Sequence, residues 1–207
     1  GVDIVIHAAA FKFLDLAEIQ SRECVLTNVV GSLNVIDAVE EAKTVKICLG
    51  VSTDKTVYAR NVYGCTKHIM EKLFREANVH SKTKYCCVRY GNVLSTTGSV
   101  LTIWEKQFKA GKPLTVTNKD MTRFFFSLDE SIDLIFNALE NTEGGEVFVR
   151  KMPSMNIYEM AKGISDRVKI VGMRPGEKLH EILIGDYEGE QYSSDKAINT
   201  KEIVVLK

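Results

Sequence analysis

The stretch TVKICLGVSTDKTVYARNVYGCTK, residues 44–67, contains an apolar run, a polar cluster and the start of a helix in direct succession. The run TVKICLGVS (44–52) is continuous rather than alternating, as expected for a strand buried on both faces. A Thr-Asp-Lys triplet, residues 53–55, follows at once, and a Tyr-x-x-x-Lys pair begins eight residues after Lys55. Polar groups are costly to hold together at a buried strand end. We therefore interpret this cluster as part of a ligand site.

The same pattern extends on both sides of this stretch. The runs DIVIHAAA (3–10) and KYCCVRYGNV (84–93) are also continuous, and apolar residues recur at helical spacing over 28–42 and 63–79. Strands alternating with helices predict a parallel sheet with right-handed crossovers. Further along, 127–145 reads as an N-capped helix stopped by Gly144 and Gly145, 146–149 as a strand, and 156–165 as a short helix.

Composition excludes several classes of function. The 207 residues carry 27 basic and 27 acidic side chains, so no whole-protein charge favours nucleic acid or an anionic membrane as a partner. No apolar run approaches the roughly 20 residues of a membrane-spanning helix. The five cysteines form no C-x-x-C pair and the four histidines are dispersed, which indicates free thiols and no metal site. We expect a cytoplasmic protein.

Three strand ends are expected to form one neighbourhood. Ligands of open α/β sheets bind beyond the carboxyl ends of the strands, which selects residues 7–12, 52–55 and 89–93. On a helix beginning near Tyr63, Lys67 lies one turn further on the same face. Its ammonium would lower the pKa of the phenol, or donate to sugar hydroxyls. Tyr-x-x-x-Lys is a weak signal alone; together with these strand ends it is specific.

A family resemblance rests on motifs spread over most of the chain. From Gly1 to about Ile184 the sequence resembles the extended short-chain dehydrogenases/reductases, and among them the UDP-N-acetylglucosamine 4,6-dehydratases that invert C5. The motifs are HAAAFK (7–12), STDK (52–55), YGCTK (63–67), RYGNV (89–93), MTRF (121–124), GGEVFV (144–149), PSM (153–155) and RPGEKLHE (174–181). Retaining 4,6-dehydratases of this kind carry Glu where Lys55 stands.

The resemblance implies a fold and a division of the chain. The fold would be α/β, a Rossmann-like doubly wound parallel sheet without its first strands, followed by a small C-terminal substrate-binding domain. Residues 1–150 would form the NADP-binding part, with substrate-binding loops at 94–123, and residues 151–207 the substrate-binding region. The chain opens without Met on a strand, and it lacks the Gly-rich phosphate loop of such enzymes. We therefore expect a fragment that neither binds NADP+ at micromolar concentration nor turns over substrate alone.

The resemblance also implies catalytic roles. Tyr63 and Lys67 would bind the nicotinamide ribose and assist oxidation at C4, and Thr53 would polarise the C4 oxygen. Lys55 would take the C5 proton and Asp54 would protonate the departing C6 hydroxyl. Elimination needs a base and an acid close together, which this pair supplies. We expect burial to move both pKa values in the required direction, down for the lysine and up for the aspartate.

Cofactor and substrate residues follow from the same motifs. The implied NADP contacts are Ala8, Lys12, Ser52, Tyr63, Lys67 and Val93. The implied contacts to UDP-N-acetylglucosamine are Lys12, Asn92, Arg123, Arg174 and Glu177. Cations of this kind suit a nucleotide diphosphate. We expect Arg123 on a short strand and a turn at Pro175-Gly176.

Departures from the family pattern leave alternatives open. The loop after RYGNV lacks the usual arginine at residues 94–98, Phe13-Leu14-Asp15 replaces a His-Val-Pro, and Tyr58-Ala59 replaces an Asn-Pro. These changes concern sugar preference more than reaction type. A nucleotide-sugar 4-epimerase and a non-catalytic remnant are the other hypotheses. The helices at 28–42 and 63–79 carry surplus apolar surface, so we predict a homo-oligomer.

Overall fold

The apolar runs of the sequence form adjacent strands of one sheet. A computed structural model of the chain describes residues 1–94, 96, 99–197 and 202–207. Strands β1 (Ile4–His7), β2 (Ile47–Thr53), β3 (Lys84–Tyr90) and β7 (Val147–Arg150) lie side by side and parallel. Strand β12 (Ile203–Leu206) completes the sheet, antiparallel to β7.

Helices cover both faces of this sheet. Helices α3 (Gly31–Ala42) and α4 (Val62–His80) pack on one face, around Val39, Met70 and Phe74. Helix α6 (Leu128–Asn141) packs on the other face, through Leu134 and Ala138. The predicted doubly wound α/β architecture is therefore confirmed.

The first strand differs from its prediction. Strand β1 ends at His7, short of the predicted residue 10, and Ile4 and Ile6 are each 47% exposed rather than buried. Val5 packs beneath α3, whereas Ile4 and Ile6 face the side on which α6 covers β2, β3 and β7. β1 is thus a half-covered edge strand.

Local signals set the ends of the long helices. The Ser127 hydroxyl accepts from the Glu130 backbone while the Glu130 carboxylate accepts from the Ser127 backbone, a capping box that starts α6. The helix ends at Asn141, earlier than predicted. Gly144 and Gly145, with φ of 106° and 90°, form the turn into β7 instead of the helix stop.

The segment before α3 is divided into more short helical pieces than the sequence pattern predicts. Two short helices, α1 (Leu14–Ile19) and α2 (Ser21–Val25), precede a π-helical turn at Leu26–Val30. Single π turns inside helices occur frequently at functional sites. This turn carries Asn28, whose side chain is fully buried.

The rest of the chain builds a second layer beyond the sheet. Its helices are α5 (Val100–Lys109) and α7 (Ile157–Ile164). Its strands are β4 (Asn92–Val93), β5 (Leu114–Val116), β6 (Thr122–Phe126), β8 (Ser154–Asn156), β9 (Val168–Ile170), β10 (Ile182–Ile184) and β11 (Tyr192–Ser193). Strand β6 joins β4 and β8, β5 pairs with β9, and β10 pairs with β11. Arg123 lies on β6, as predicted.

The C-terminal segment contains more strand than its sequence pattern indicated. Because β12 pairs with β7, the end of this segment belongs to the central sheet. The division of the chain at residue 150 stays a prediction. In the described ranges, no helix has the length and apolar character needed to cross a membrane.

Candidate active site

A cavity of about 500 Å³ opens at the carboxyl ends of β1, β2 and β3. The predicted site residues that line it are Ala8, Lys12, Ser52, Thr53, Lys55, Tyr63, Lys67, Asn92, Val93, Arg123, Arg174 and Glu177. Asp54, fully buried, lies in contact with Lys55 instead of lining the cavity. The fold thus brings together side chains from distant parts of the chain; their individual roles remain predictions.

Thr53 ends β2, and Asp54 and Lys55 begin the single 3-10 turn, Asp54–Thr56, that follows it directly. The Thr53 hydroxyl donates to Asp54 Oδ1 at 3.1 Å and accepts from the Lys55 backbone at 3.4 Å. The Thr53 hydroxyl also acts to lower the pKa of the nearby Tyr63 phenol. This turn holds the hydroxyl and the two charged groups in a fixed arrangement at the cavity.

Asp54 and Lys55 form a buried ion pair. Lys55 Nζ donates to Asp54 Oδ1 at 2.9 Å, and Asp54 Oδ2 makes no hydrogen bond among the described residues. Burial acts to lower the pKa of Lys55, but the carboxylates of Asp54 and Glu181 outweigh it, and the pKa is raised. The expected net lowering of this pKa is therefore wrong, because the two carboxylates outweigh burial.

Tyr63 and Lys67 sit on the first two turns of α4. The Asn61 side chain caps this helix by accepting from the Gly64 backbone at 2.7 Å. Burial lowers the pKa of Lys67 to about 8, and its ammonium donates to the Met70 thioether. A thioether is a weak acceptor, so Lys67 retains donor capacity toward a ligand in the cavity.

The phenol of Tyr63 does not behave as the sequence suggested. Burial raises its pKa, and the nearby charge of Lys55 only partly opposes this increase. The predicted lowering by Lys67 is wrong, because desolvation dominates and the cation that acts on the phenol is Lys55. With this raised pKa, Tyr63 is a neutral hydrogen-bonding group near pH 7.

The predicted substrate residues differ in how they are held. The Arg123 guanidinium donates to the carbonyls of Thr122, Lys178 and Leu179, and it is 8% exposed. Arg123 therefore anchors the 174–181 motif while it lines the cavity. This use of its donors reduces what it can offer to a ligand.

The Arg-Pro-Gly-Glu segment forms the predicted turn. The Glu177 carboxylate accepts from the Arg174 backbone at 2.9 Å. Gly176 has a φ of 77°, and a Cβ there would lie 2.7 Å from the Asn61 side chain. Only glycine combines this backbone conformation with so close an approach. The turn brings Arg174 and Glu177 to the cavity beside the start of α4.

Sequence reasoning missed two buried charges, Glu181 and Lys178. Both lie within the motif that carried the resemblance, yet nothing in their spacing separates them from surface residues. Glu181 is 2% exposed and Lys178 is 7% exposed. Lys178 Nζ donates to the Val57 carbonyl and lies 3.8 Å from Glu181 Oε2. Burial lowers the pKa of Lys178.

Asn28 is a further missed residue. Its side chain accepts from the Phe11 backbone at 2.7 Å, and donates to the Phe11 carbonyl at 3.0 Å and to Thr66 Oγ1 at 2.9 Å. These bonds fasten the loop after β1, which carries Ala8 and Lys12, to α4. A polar residue opening an otherwise apolar helical pattern was the available signal.

Arg89 lies elsewhere than predicted, and part of the loop at 94–98 is outside the described residues. Arg89, assigned to the strand-end neighbourhood, is 1% exposed and forms ion pairs with Glu71 and Glu188 rather than lining the cavity. In the loop at 94–98, Ser95, Thr97 and Gly98 lie outside the described residues. Over the described part of the chain, no cluster of metal-ligating side chains is present.

Comparison with known proteins identifies the family. A family model described as polysaccharide biosynthesis protein matches residues 1–202. The chain belongs to this polysaccharide biosynthesis family. A UDP-N-acetylglucosamine 4,6-dehydratase (inverting) of Campylobacter jejuni is 42% identical over 92% of this chain and 60% of that protein. A UDP-glucose 4-epimerase of Rickettsia massiliae is 41% identical over 91% of this chain and 58% of that protein.

Solved structures agree with this assignment. The X-ray structure of Pen from Bacillus thuringiensis has a TM-score of 0.90 at 31% identity and covers 96% of this chain and 72% of that chain. DesIV, a dTDP-glucose 4,6-dehydratase from Streptomyces venezuelae with NAD bound, has a TM-score of 0.82 at 19% identity, covers 97% of this chain and 70% of that chain, and shows the fold alone. The resemblance to extended short-chain dehydrogenases/reductases is confirmed. This family member spans about 60% of the length of the curated relatives it matches.

Proposed function

We propose that the enzyme containing this chain is an NADP-dependent UDP-N-acetylglucosamine 4,6-dehydratase that inverts C5, in bacterial surface-sugar biosynthesis. The observation that carries the proposal is the Asp54–Lys55 contact of 2.9 Å at the cavity. It supplies a base and an acid side by side, within a family that includes such dehydratases. Neither group is needed for simple epimerisation at C4.

The cavity suits the nicotinamide end of a dinucleotide. Ala8 and Ser52 are small, which allows a flat ring to approach the strand ends, and Lys67 and Tyr63 offer donors to ribose hydroxyls. When bound, the cofactor would accept a hydride from C4 of the sugar and return it to C6. NADP rather than NAD is part of the proposal.

The side chains around the sugar would then divide the proton transfers. Tyr63 and Lys67 would bind the nicotinamide ribose and assist oxidation at C4, and Thr53 would polarise the C4 oxygen. The 4-keto group acidifies the C5 hydrogen, which Lys55 would abstract. Asp54 would protonate the C6 hydroxyl as it leaves as water. The carboxylates of Asp54 and Glu181 raise the pKa of Lys55, so a proton must pass from Lys55 to Asp54 before the pair reacts.

The substrate would be an anionic nucleotide sugar. Lys12 and Arg174 are exposed cations at the cavity, and the buried Arg123, together with Asn92, also lines it. Guanidinium and ammonium groups bind phosphate oxygens through charge-assisted hydrogen bonds. Glu177 would accept from a ribose hydroxyl. We place the enzyme in the cytoplasm, where nucleotide sugars and reduced cysteines coexist.

A nucleotide-sugar 4-epimerase is the second candidate, favoured by the Rickettsia relative of similar identity. A non-catalytic homologue is the third. The products separate these candidates: a 4-keto-6-deoxy sugar marks the dehydratase, a 4-epimer marks the epimerase, and no product marks the remnant. The assay uses the full-length protein with UDP-N-acetylglucosamine and NADP+.

Replacing Lys55 tests the base directly. Lys55→Met in the full-length enzyme should abolish exchange of the C5 hydrogen with deuterated solvent, because Lys55 is the group proposed to remove that hydrogen. Binding of NADP+ and of the nucleotide sugar should persist. Lys72→Met, an exposed change on α4, is the control. Near-normal exchange in the Lys55 variant would assign the base to another residue.

A further inference from the structure

Glu181 lies behind the wall of the cavity and is held there firmly. Its side chain is 2% exposed, and it precedes β10 directly. Its backbone amide donates to Ser194 Oγ at 2.9 Å, and its carbonyl accepts from the Ser194 amide at 2.8 Å. The carboxylate thus has a fixed position, although it does not line the cavity.

Three cations converge on this one carboxylate. Lys55 Nζ lies 3.7 Å and Arg123 Nε 3.9 Å from Oε1, while Lys178 Nζ lies 3.8 Å from Oε2. Oε2 makes no hydrogen bond among the described residues. A buried charge requires a compensating partner. Glu181 supplies one for Lys55 and Arg123, two residues that do line the cavity.

Lys55 therefore lies between two carboxylates. It is hydrogen-bonded to Asp54 at 2.9 Å and separated from Glu181 by 3.7 Å, within one small side-chain movement. The phenol of Tyr63, on α4, interacts with the same ammonium. The positive charge of Arg123 acts to lower the pKa of Lys55. Burial raises the pKa of Glu181, and Lys55 acts in the opposite direction. The charge on Glu181 and the charge on Lys55 are thus mutually dependent.

We propose that Glu181 is a positioning residue that sets whether the Asp54–Lys55 pair is an ion pair or a neutral pair. The neutral pair forms when one proton moves from Lys55 Nζ to Asp54 Oδ1: an N–H bond breaks, an O–H bond forms, and the net charge is unchanged. A negative Glu181 stabilises the ammonium and hence the ion pair; a protonated Glu181 favours the neutral pair. The importance of this for catalysis rests on the proposed function, in which free amine and carboxylic acid are the reactive forms.

The titration of Lys55 tests the proposal without substrate. Lysines are acetylated with trace acetic anhydride over a range of pH, and the modification of Lys55 is followed by mass spectrometry. In Glu181→Gln the Lys55 titration should move down by at least one pH unit, about a tenfold increase in free amine at a given pH. Glu146→Gln, which removes an equally buried carboxylate bonded within residues 142–146, should leave it unchanged. An unchanged Lys55 titration in a folded Glu181→Gln would overturn the proposal.

A second measurement does not depend on the folding of that variant. In Lys55→Met, the carboxyl carbon of Glu181, observed by NMR, should titrate at higher pH than in the wild type, because the cation that favours its ionised form is gone. A Glu181 titration that is the same in Lys55→Met and in the wild type would also overturn the proposal. Solvent exchange at C5 tests the reaction separately. If the Lys55 and Glu181 titrations both shift as expected but the wild type shows no exchange at C5, Glu181 remains the partner of Lys55 and the proposed dehydratase function is rejected.

Discussion

Individual residues show how burial and neighbouring charges compete in this site. Lys55 and Lys67 are both lysines at one cavity, yet their pKa values move in opposite directions. Lys67 is 2% exposed, and burial dominates there. Two carboxylates face Lys55, and their attraction exceeds the same burial effect. The two pKa shifts differ in direction because Asp54 and Glu181 lie beside Lys55; the residue type is the same.

Lys67 should make stability depend on pH. Its pKa is about 8 in the folded state and near 10.5 in the unfolded chain. Between these values the unfolded state binds more protons, so the free energy of unfolding rises with pH, in total by roughly 3 kcal/mol. The stability of the wild type relative to Lys67→Met should increase by this amount from pH 7.5 to 10.5, measured by urea unfolding. Lys72→Met, which removes an exposed lysine from the same helix, is the control for the loss of a lysine as such. A stability difference between the wild type and Lys67→Met that does not change with pH would contradict the prediction.

Local backbone conformation and capping side chains set the ends of the helices. Helix α3 ends at Ala42, and the next residue, Lys43, adopts a left-handed φ of 54° while its amide donates to the Val39 carbonyl. A left-handed residue commonly closes a helix, and glycine is favoured at that position. Asn61 and Ser127 fix the starts of α4 and α6 in a comparable way. Local chemistry thus sets the ends of the helices that carry the site.

The end of α3 offers a stabilising substitution. Lys43→Gly should raise the free energy of unfolding by about 0.5–1 kcal/mol, since glycine adopts the left-handed conformation without strain. Glu41→Gly, two residues earlier and inside the helix, should lower it by about 0.5–1 kcal/mol. Urea midpoints for both variants provide the measurement. A Lys43→Gly protein less stable than the wild type would show that the lysine side chain contributes more than its backbone costs.

The whole molecule exposes apolar side chains on the helices that flank the site. Val30, directly before α3, and Leu33, in its first turn, are 37% and 39% exposed, and Ile69 on α4 is 44% exposed. Large exposed apolar patches mark interaction surfaces. These residues belong to the two helical patterns from which the sequence predicted self-association.

We predict a homo-oligomer that buries this surface. Light scattering of the intact protein at micromolar concentration should give a mass above that of one chain. Leu33→Glu combined with Ile69→Glu should produce a monomer, because two charges would be buried in the interface. Phe136→Glu, on the exposed side of α6, should not change the mass. A monomeric wild type would reject the prediction.

The sequence by itself determined the neighbouring parallel strands, the principal helices and the residues that meet at the cavity. The strands and helices follow from local hydrophobic periodicity, and the strand-end residues follow because parallel strands place their carboxyl ends at one edge of a sheet. Arg123, Arg174 and Glu177 were implied by the family resemblance. The contiguous turn that joins Thr53, Asp54 and Lys55 is equally local. Such features need no knowledge of what packs against them.

Only the tertiary structure decided the rest. The pairing of β12 with β7, the half-exposed face of β1 and the burial of Arg89 between Glu71 and Glu188 depend on segments far apart in the chain. The same holds for Glu181, whose contact with Lys55 raises a pKa that burial alone would lower. A charge acts through distance in space and through the solvent it loses, and neither quantity is encoded by spacing along the sequence.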